Sequence, residues 1–252
     1  ILELPLPQNE KTFAANSSKL NKLMHTLEAE NNAVEDKKFN ARKTQEEVNS
    51  EIEKNKAELE SLGERRTNIP SANLSIRSMI CKAIKCEEEE LPFAGELIQV
   101  KESEKKWEYA IERLLHHFAL TLLVPENYYN RVTAFVKDNN INGRIVYFKV
   151  EDSVFDSYEI DTDSNTVPGK IELKQNTLFT GWLNNYVNDH FDFLCTDEIK
   201  EINANKRVIT SSGLIKNEYR NEKDDRNKNT NKILQVLGWD NTEKKKLLSN
   251  RI

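Results

Sequence analysis

The first 64 residues follow the pattern of one long helix that needs a partner. No Gly or Pro occurs from Glu10 to Leu62, so an unbroken helix rising about 1.5 Å per residue would reach roughly 80 Å. Apolar residues recur here every seven positions; the series is Phe13, Leu20, Leu27, Val34, Ala41 and Val48, with a break at Asn55 and a return at Leu62. A heptad repeat keeps one seam of a helix against a second helix. We therefore predict a coiled-coil arm over residues 1–65 whose matching helix lies outside this chain.

The second layer of this heptad is weaker than the first. The positions four residues after each member of the series are Ser17, Met24, Asn31, Lys38, Gln45, Ile52 and Leu59. A partly polar layer favours a coil that bends rather than a rigid rod. The alternative is a single solvated helix stabilised by charge pairs four residues apart. Six consecutive apolar residues at sevenfold spacing favour the coiled coil.

Charge and composition restrict the functions open to the chain. The 37% hydrophobic and 31% charged content is typical of a coiled coil attached to a domain. Residues 1–64 carry 9 Lys+Arg against 13 Asp+Glu, and the remainder carries 28 against 29. Neither part has the bulk positive charge of a non-specific nucleic-acid binder, so any contact with DNA must come from a local patch.

Cysteine, histidine and apolar spacing give further exclusions. Cys81, Cys86 and Cys195 form no CxxC pair, and the four histidines show no metal-ligand spacing. This pattern favours free thiols in a reducing compartment. No apolar run approaches the length of about 18 residues that a membrane helix needs, and no secretory signal opens the chain. We therefore expect a soluble, cytoplasmic protein without a membrane partner.

The residues after Gly63 and Pro70 predict a mixed α/β domain over 66–240. We predict helices at 71–84, 103–118, 127–139 and 178–187, and strands at 96–100, 119–124, 143–150, 191–195, 206–210 and 235–237. The alternation between 96 and 150 indicates one α/β layer with right-handed crossovers. A new helix begins at Thr242, so residues 241–252 are predicted to start a helix that returns along the arm. This is the layout of a hairpin tip.

Residues 216–232 contain the densest charge of the predicted domain. Its cations are Lys216, Arg220, Lys223, Arg226, Lys228 and Lys232. One interpretation is a loop that contacts DNA phosphates. A second takes Glu222, Asp224 and Asp225 as Mg²⁺ ligands of a nuclease-like site. The third, which the pattern favours, is a solvated loop with internal ion pairs.

Several separate motifs occur together in the order found in a known family. They are Asn68-Ile69-Pro70, Leu91-Pro92-Phe93-Ala94-Gly95-Glu96-Leu97-Ile98-Gln99-Val100, Trp107 with Ala110-Ile111-Glu112-Arg113, Leu122-Leu123-Val124-Pro125, Gly143-Arg144-Ile145-Val146-Tyr147, Glu222-Lys223-Asp224-Asp225-Arg226 and Leu237-Gly238-Trp239-Asp240-Asn241. Over residues 66–248 the chain thereby resembles the SMC-like ATPases of MukB-type bacterial condensins, and most of all the JetC branch of the Wadjet plasmid-defence system.

This resemblance implies that the segment is a hinge, a homodimerisation module that joins two coiled-coil arms of a DNA loop-extruding motor. ATP, Mg²⁺, kleisin-type and accessory subunits would bind at distant head domains, and the protein would associate with nucleoid or plasmid DNA. The segment has no GxxxxGK[ST], since Pro168-Gly169-Lys170 lacks both the spacing and the hydroxyl. We therefore expect no enzymatic activity and no cofactor in this segment.

A hinge of this kind needs a surface that pairs with its own copy. Exposed strand edges are the natural place, because an unpaired edge offers backbone donors and acceptors. We predict the edges at Arg144, Val146 and Phe148, or at Arg207 and Ile209. The alternatives are the metal-dependent nuclease and a protein-recruitment platform on a coiled coil.

Overall fold

The computed structural model describes residues 4–64, 67–151, 165–224 and 235–250, and it is a mixed α/β structure. The helices are α1 (Glu10–Glu64), α2 (Ser71–Ile84), α3 (Glu108–Ala119), α4 (Glu126–Asp138), α5 (Val167–Lys170), α6 (Thr180–His190), α7 (Ile199–Ala204) and α8 (Thr242–Ser249). The strands are β1 (Ile98–Val100), β2 (Thr121–Pro125), β3 (Val146–Val150), β4 (Ile171–Leu173), β5 (Leu194–Cys195), β6 (Arg207–Ile209), β7 (Ile215–Asn217) and β8 (Arg220–Glu222). The predicted fold class is confirmed.

Helix α1 begins where the sequence provides a cap. Asn9 Oδ1 accepts a hydrogen bond from the Thr12 N–H at 3.0 Å, which satisfies one of the free donors of the first turn. The chain divides into two compact units, residues 1–54 and 55–252. The first unit is almost entirely helix, and the apolar seam along it is exposed; Phe13, for example, is 64% exposed.

The strands form three small sheets rather than one layer. β2 and β3 are parallel and are connected through α4, as predicted. The prediction that β1 joins the same layer is wrong, because β1 pairs antiparallel with β4. The third sheet has the order β5-β6-β7-β8, in which β5 and β6 are parallel and the other pairs are antiparallel.

The β2–β3 sheet lies between two apolar clusters. Along β2, Leu123 packs into one cluster with α3, α6 and β1, while Leu122 and Val124 pack into the other with α2 and α4. Neighbouring side chains of a strand point to opposite faces, so a strand buried on both faces is apolar throughout. All five residues of β2 are buried, which fits this arrangement.

Two other local predictions fail. Residues 235–237 form no strand, because the Val236 and Leu237 N–H groups donate to the Glu112 carboxylate instead of a β-ladder. The first residues of the predicted polar loop form the β7–β8 hairpin. Helix α8 begins at the predicted residue, Thr242.

Candidate functional site

The base of the second unit, which we call the neck, consists of residues 55–64 of α1, the segment 67–70 and residues 235–249. The Asn241 side chain donates to the Leu62 carbonyl at 3.0 Å, and Lys244 Nζ lies 3.5 Å from Glu58 Oε1. Later residues along α8 therefore contact earlier residues of α1. The two helices are antiparallel where they meet, so the chain enters and leaves this unit at one place.

Lys244 anchors the neck with a buried ammonium group. Its Nζ donates to the carbonyls of Asn68 at 2.8 Å and Gln235 at 3.0 Å, and its side chain is only 3% exposed. A buried charge is tolerated only when it is paired and hydrogen-bonded. These contacts link α8 to the segment that follows α1.

Asn68 and Asn241 complete the neck with side-chain amides. Asn68 Nδ2 donates to the carbonyls of Leu237 at 2.7 Å and Asp240 at 3.1 Å. Both asparagines are buried. Since buried backbone carbonyls need donors, these amides replace the ladder that a sheet would have supplied.

Glu112 of α3 holds the 235–237 segment against the body. Its two carboxylate oxygens accept hydrogen bonds from the N–H groups of Val236 and Leu237 at 3.1 and 3.2 Å. Burial raises the pKa of this carboxyl from 4.5 to about 7, while the two backbone donors and Lys244 act in the opposite direction. The roles of Glu112, Asn68, Asn241 and Lys244 were not predicted. Asn68, Glu112 and Asn241 belong to the motifs that carry the family resemblance, and this was the sequence signal that could have identified them.

Strand β3 presents an open sheet edge. Within the part of the chain that the structure describes, β3 pairs with β2 alone. Val146 and Phe148 lie in β3, the first exposed and the second half-buried, while the exposed Arg144 precedes the strand by two residues. The other two, Arg207 and Ile209, lie in β6, which pairs with β5 on one side and β7 on the other. The proposed edge at 206–210 is therefore wrong.

An aromatic groove adjoins this open edge. It has a volume of about 410 Å³, and its lining includes Val146, Phe148, Phe118, Tyr186 and Phe191. The rings of Phe118 and Tyr186 stack with centroids 4.8 Å apart. Aromatic side chains beside an exposed strand give a surface with both apolar area and free backbone groups, which suits strand-to-strand association.

The predicted cationic loop is only partly described. Arg226, Lys228 and Lys232 lie outside the described residues. Lys216 Nζ donates to the carbonyls of Ile202 at 2.7 Å and Asn203 at 3.3 Å, so it binds the end of α7. Arg220 is exposed and pairs with Glu222. Contact of these residues with DNA stays a prediction.

Of the carboxylates proposed as metal ligands, that of Glu222 pairs with Arg113 and Arg220. The backbone carbonyl of Asp224 accepts a hydrogen bond from Tyr109, and Asp225 lies outside the described residues. No group of three or more His, Cys, Asp and Glu side chains among residues 4–64, 67–151, 165–224 and 235–250 could hold a metal ion. The described residues thus give the nuclease-like alternative no observation in its favour.

Comparisons with known proteins give likenesses in structure. No protein-family profile and no curated protein sequence matches the chain. The Smc hinge domain with an extended coiled coil from Pyrococcus furiosus is 17% identical, covering 94% of this chain and 83% of that one, with a TM-score of 0.46.

Two further hinge domains give similar values. The Geobacillus stearothermophilus SMC hinge domain, crystallised as an asymmetric dimer, is 15% identical over 81% of this chain and 89% of that one, with a TM-score of 0.42. The S. pombe Smc5/6 hinge domain is 15% identical over 84% and 89%, with a TM-score of 0.43. At these identities and TM-scores the likenesses do not establish membership of a family. No helix among the described residues is both long and apolar enough to cross a bilayer.

Proposed function

We propose that this chain is the homodimerisation hinge of an SMC-like, condensin-type DNA loop-extruding motor, at the tip of a coiled-coil arm. The observation that carries the proposal is the antiparallel meeting of α1 and α8 at the neck through Leu62, Asn241, Glu58 and Lys244. A chain that enters and leaves a globular unit through two antiparallel helices has the connectivity of a hairpin tip.

The exposed seam of the first unit supports the same proposal. Residues such as Leu27 and Val34 lie on a helix that has no covering partner among the described residues. A second helix with the direction of α8, antiparallel to α1, would cover this seam. The arm would then be an intramolecular antiparallel coiled coil.

We assign the self-association surface to the open edge of β3 and the aromatic groove beside it. A symmetric dimer uses the same patch on both copies, and an unpaired strand can pair with its own copy across a two-fold axis. Val146 is the test residue, because it is an exposed apolar residue on that strand. A charge there would oppose its symmetry-related copy and leave the interior of the fold unaffected.

Sedimentation of three variants of the 252-residue chain tests this assignment. We expect Val146→Glu to weaken dimerisation at least tenfold. Ile199→Glu, a matched change of another exposed aliphatic residue on α7, should leave it unchanged. The double variant Leu20→Glu/Leu27→Glu removes any pairing through the heptad seam of α1. A dimer that survives Val146→Glu and dissociates with the seam variant would refute the assignment.

The finer parts of the proposal rest on the family resemblance of the sequence. Two arms joined at their tips would enclose DNA in a ring. Head domains outside this segment would bind ATP, Mg²⁺, and the kleisin-type and accessory subunits. The whole motor would act in plasmid defence, as the systems that the sequence resembles do. DNA enclosure requires no strong phosphate site on the hinge, which agrees with the engagement of Lys216 by carbonyls. For the whole motor, heads included, circular DNA that stays bound at high salt and is released on linearisation would support enclosure. Equal retention of linear DNA would contradict it.

A further inference from the structure

The end of α2 brings two cysteines together that the sequence separates by five positions. On a regular helix Cys81 and Cys86 would point in different directions. Lys85 instead adopts the left-handed conformation, with φ 58°, and the Cys86 N–H donates to the Cys81 carbonyl at 3.1 Å. This bond from the sixth residue of the turn to the first characterises a helix end in which the two flanking side chains touch.

The two thiols flank the same turn and differ in accessibility. Both cysteines are free, and the Cys81 thiol donates to the carbonyl of Glu87, the residue after Cys86, at 3.8 Å. Cys81 is 3% exposed, whereas Cys86 is half-buried and accessible to a small reagent. The third cysteine, Cys195, is buried in the other apolar cluster and serves as an internal reference.

The surroundings distinguish the roles of the two sulfurs. Burial raises the pKa of Cys81 to about 12, and the adjacent Cys86 adds to this effect. Burial also raises the pKa of Cys86, and the charges of Glu90 and Glu87 add to this, while Cys81 and Arg131 act in the opposite direction. Because Cys86 is the more accessible of the two thiols, it is the residue suited to meet the oxidant first, and Cys81 is the one suited to resolve the product.

We propose that Cys81 and Cys86 are a reversible redox site, which a peroxide or a small disulfide oxidises to an intramolecular disulfide at the end of α2. With peroxide, the Cys86 thiolate attacks one oxygen, the O–O bond breaks, and the hydroxide released takes up the thiol proton as water. Cys81 then attacks the sulfenic sulfur and displaces a second hydroxide, which leaves with the Cys81 proton as water. Two thiols lose two electrons and two protons, and the peroxide becomes two waters.

Contacts from α4 brace the turn that would carry the disulfide. Arg131 donates to the Ile84 carbonyl at 3.0 Å, and the Tyr128 hydroxyl donates to Glu90 at 2.6 Å. These contacts fix the turn on both sides of Lys85. The cross-link would therefore tie α2 to the segment that follows without unpacking the cluster around Cys81.

Tryptic mapping of the oxidised full chain tests the proposal. Lys82 and Lys85 separate the two cysteines, so the disulfide would link the peptides 78–82 and 86–101. After treatment with hydrogen peroxide or oxidised glutathione and alkylation of free thiols, we expect this linked pair in most of the oxidised protein. Linkages to Cys195 should stay below a tenth of it, and dithiothreitol should restore both thiols.

Two pairs of variants complete the test. Cys195→Ser should keep the link, whereas Cys81→Ser should leave Cys86 as a sulfenic acid or a mixed disulfide with glutathione. Lys85→Gly keeps the left-handed turn and should keep rapid closure; Lys85→Pro cannot adopt positive φ and should slow closure at least tenfold. Stable oxidation of Cys86 in the wild type without the linked peptides, or links between copies only, would overturn the proposal.

Discussion

The two ends of helix α1 show the same heptad in opposite environments. Leu27 in the first unit is 53% exposed, whereas Leu62 at the neck is fully buried beside α8. Both residues belong to one sevenfold series. The difference shows that the heptad repeat specifies which face of α1 is apolar but not which helix packs against that face. At the neck, where α8 is present, the apolar face of α1 is buried.

The largest expected effect concerns the buried ammonium of the neck. Lys244→Met keeps much of the apolar stem but removes the donor to Asn68, Gln235 and Glu58. We expect a loss of about 4 kcal/mol in the free energy of unfolding, because two buried carbonyls and a carboxylate lose their partner. Urea denaturation measures this. Lys246→Met, an exposed change on the same helix, is the control and should stay within about 0.5 kcal/mol of wild type.

Leucine truncation at the two ends of the helix tests the comparison itself. Leu62→Ala should cost about 3 kcal/mol through lost burial and a cavity, while Leu27→Ala should cost less than about 0.5 kcal/mol in the monomer. Thermal or urea unfolding at a concentration where the chain is monomeric distinguishes the two. Equal costs would mean that the seam of the first unit is covered in solution.

The pH dependence of the neck is the next effect in size. Because burial raises the pKa of Glu112 in the folded state, this group stabilises the fold fully below its ordinary value of 4.5, and that stabilisation is lost as pH rises through about 7. The advantage of wild type over Glu112→Gln in free energy of unfolding should therefore grow on going from pH 8 to pH 5, by on the order of 2 kcal/mol. Glu89→Gln, at an exposed carboxylate, should show no such change. An advantage that shrinks toward pH 5 would contradict the assignment.

The smallest effect concerns the β7–β8 hairpin. Arg220 is exposed and its ion pair with Glu222 is screened by water. Arg220→Ala should change the free energy of unfolding by less than about 0.5 kcal/mol. If the hairpin contacts phosphate, the same variant should lower DNA affinity and reduce its salt dependence by about one counterion. No change in either property would count against phosphate contact by the hairpin.

Periodicity predicted those parts of the fold whose apolar residues are regular and local. Helix α1 was predicted from Glu10 to Leu62 and ends at Glu64, and β2 was predicted from its apolar run. The β8 strand was missed because all three of its residues are exposed and none shows apolar alternation. A hairpin of this kind depends on pairing with β7, which a local pattern does not record.

The sequence predicted only those parts of the candidate site whose exposure to solvent follows from the hydrophobic pattern. Strand β3 lies at a sheet edge among the described residues, as predicted. Strand β6 does not, because β7 pairs with it, and β7 comes from a polar segment whose pattern indicated a loop. The neck was missed because its polar side chains pair over long separations, as Asn68 does with Asp240 and Lys244. The apolar Val236 and Leu237 correctly indicated burial, but the strand predicted at 235–237 does not form. The Glu112 carboxylate accepts hydrogen bonds from the backbone N–H groups of Val236 and Leu237 in place of a neighbouring strand.

The most direct test of the proposed hinge is the solution mass of the full chain and of residues 55–252, measured by light scattering over a wide concentration range. The shorter chain keeps the whole neck and corresponds to the second compact unit. We predict that both are dimers with similar dissociation constants, which would place the contact in the globular unit. A monomeric 55–252 chain beside a dimeric full chain would show that the uncovered seam makes the contact, and would contradict the account.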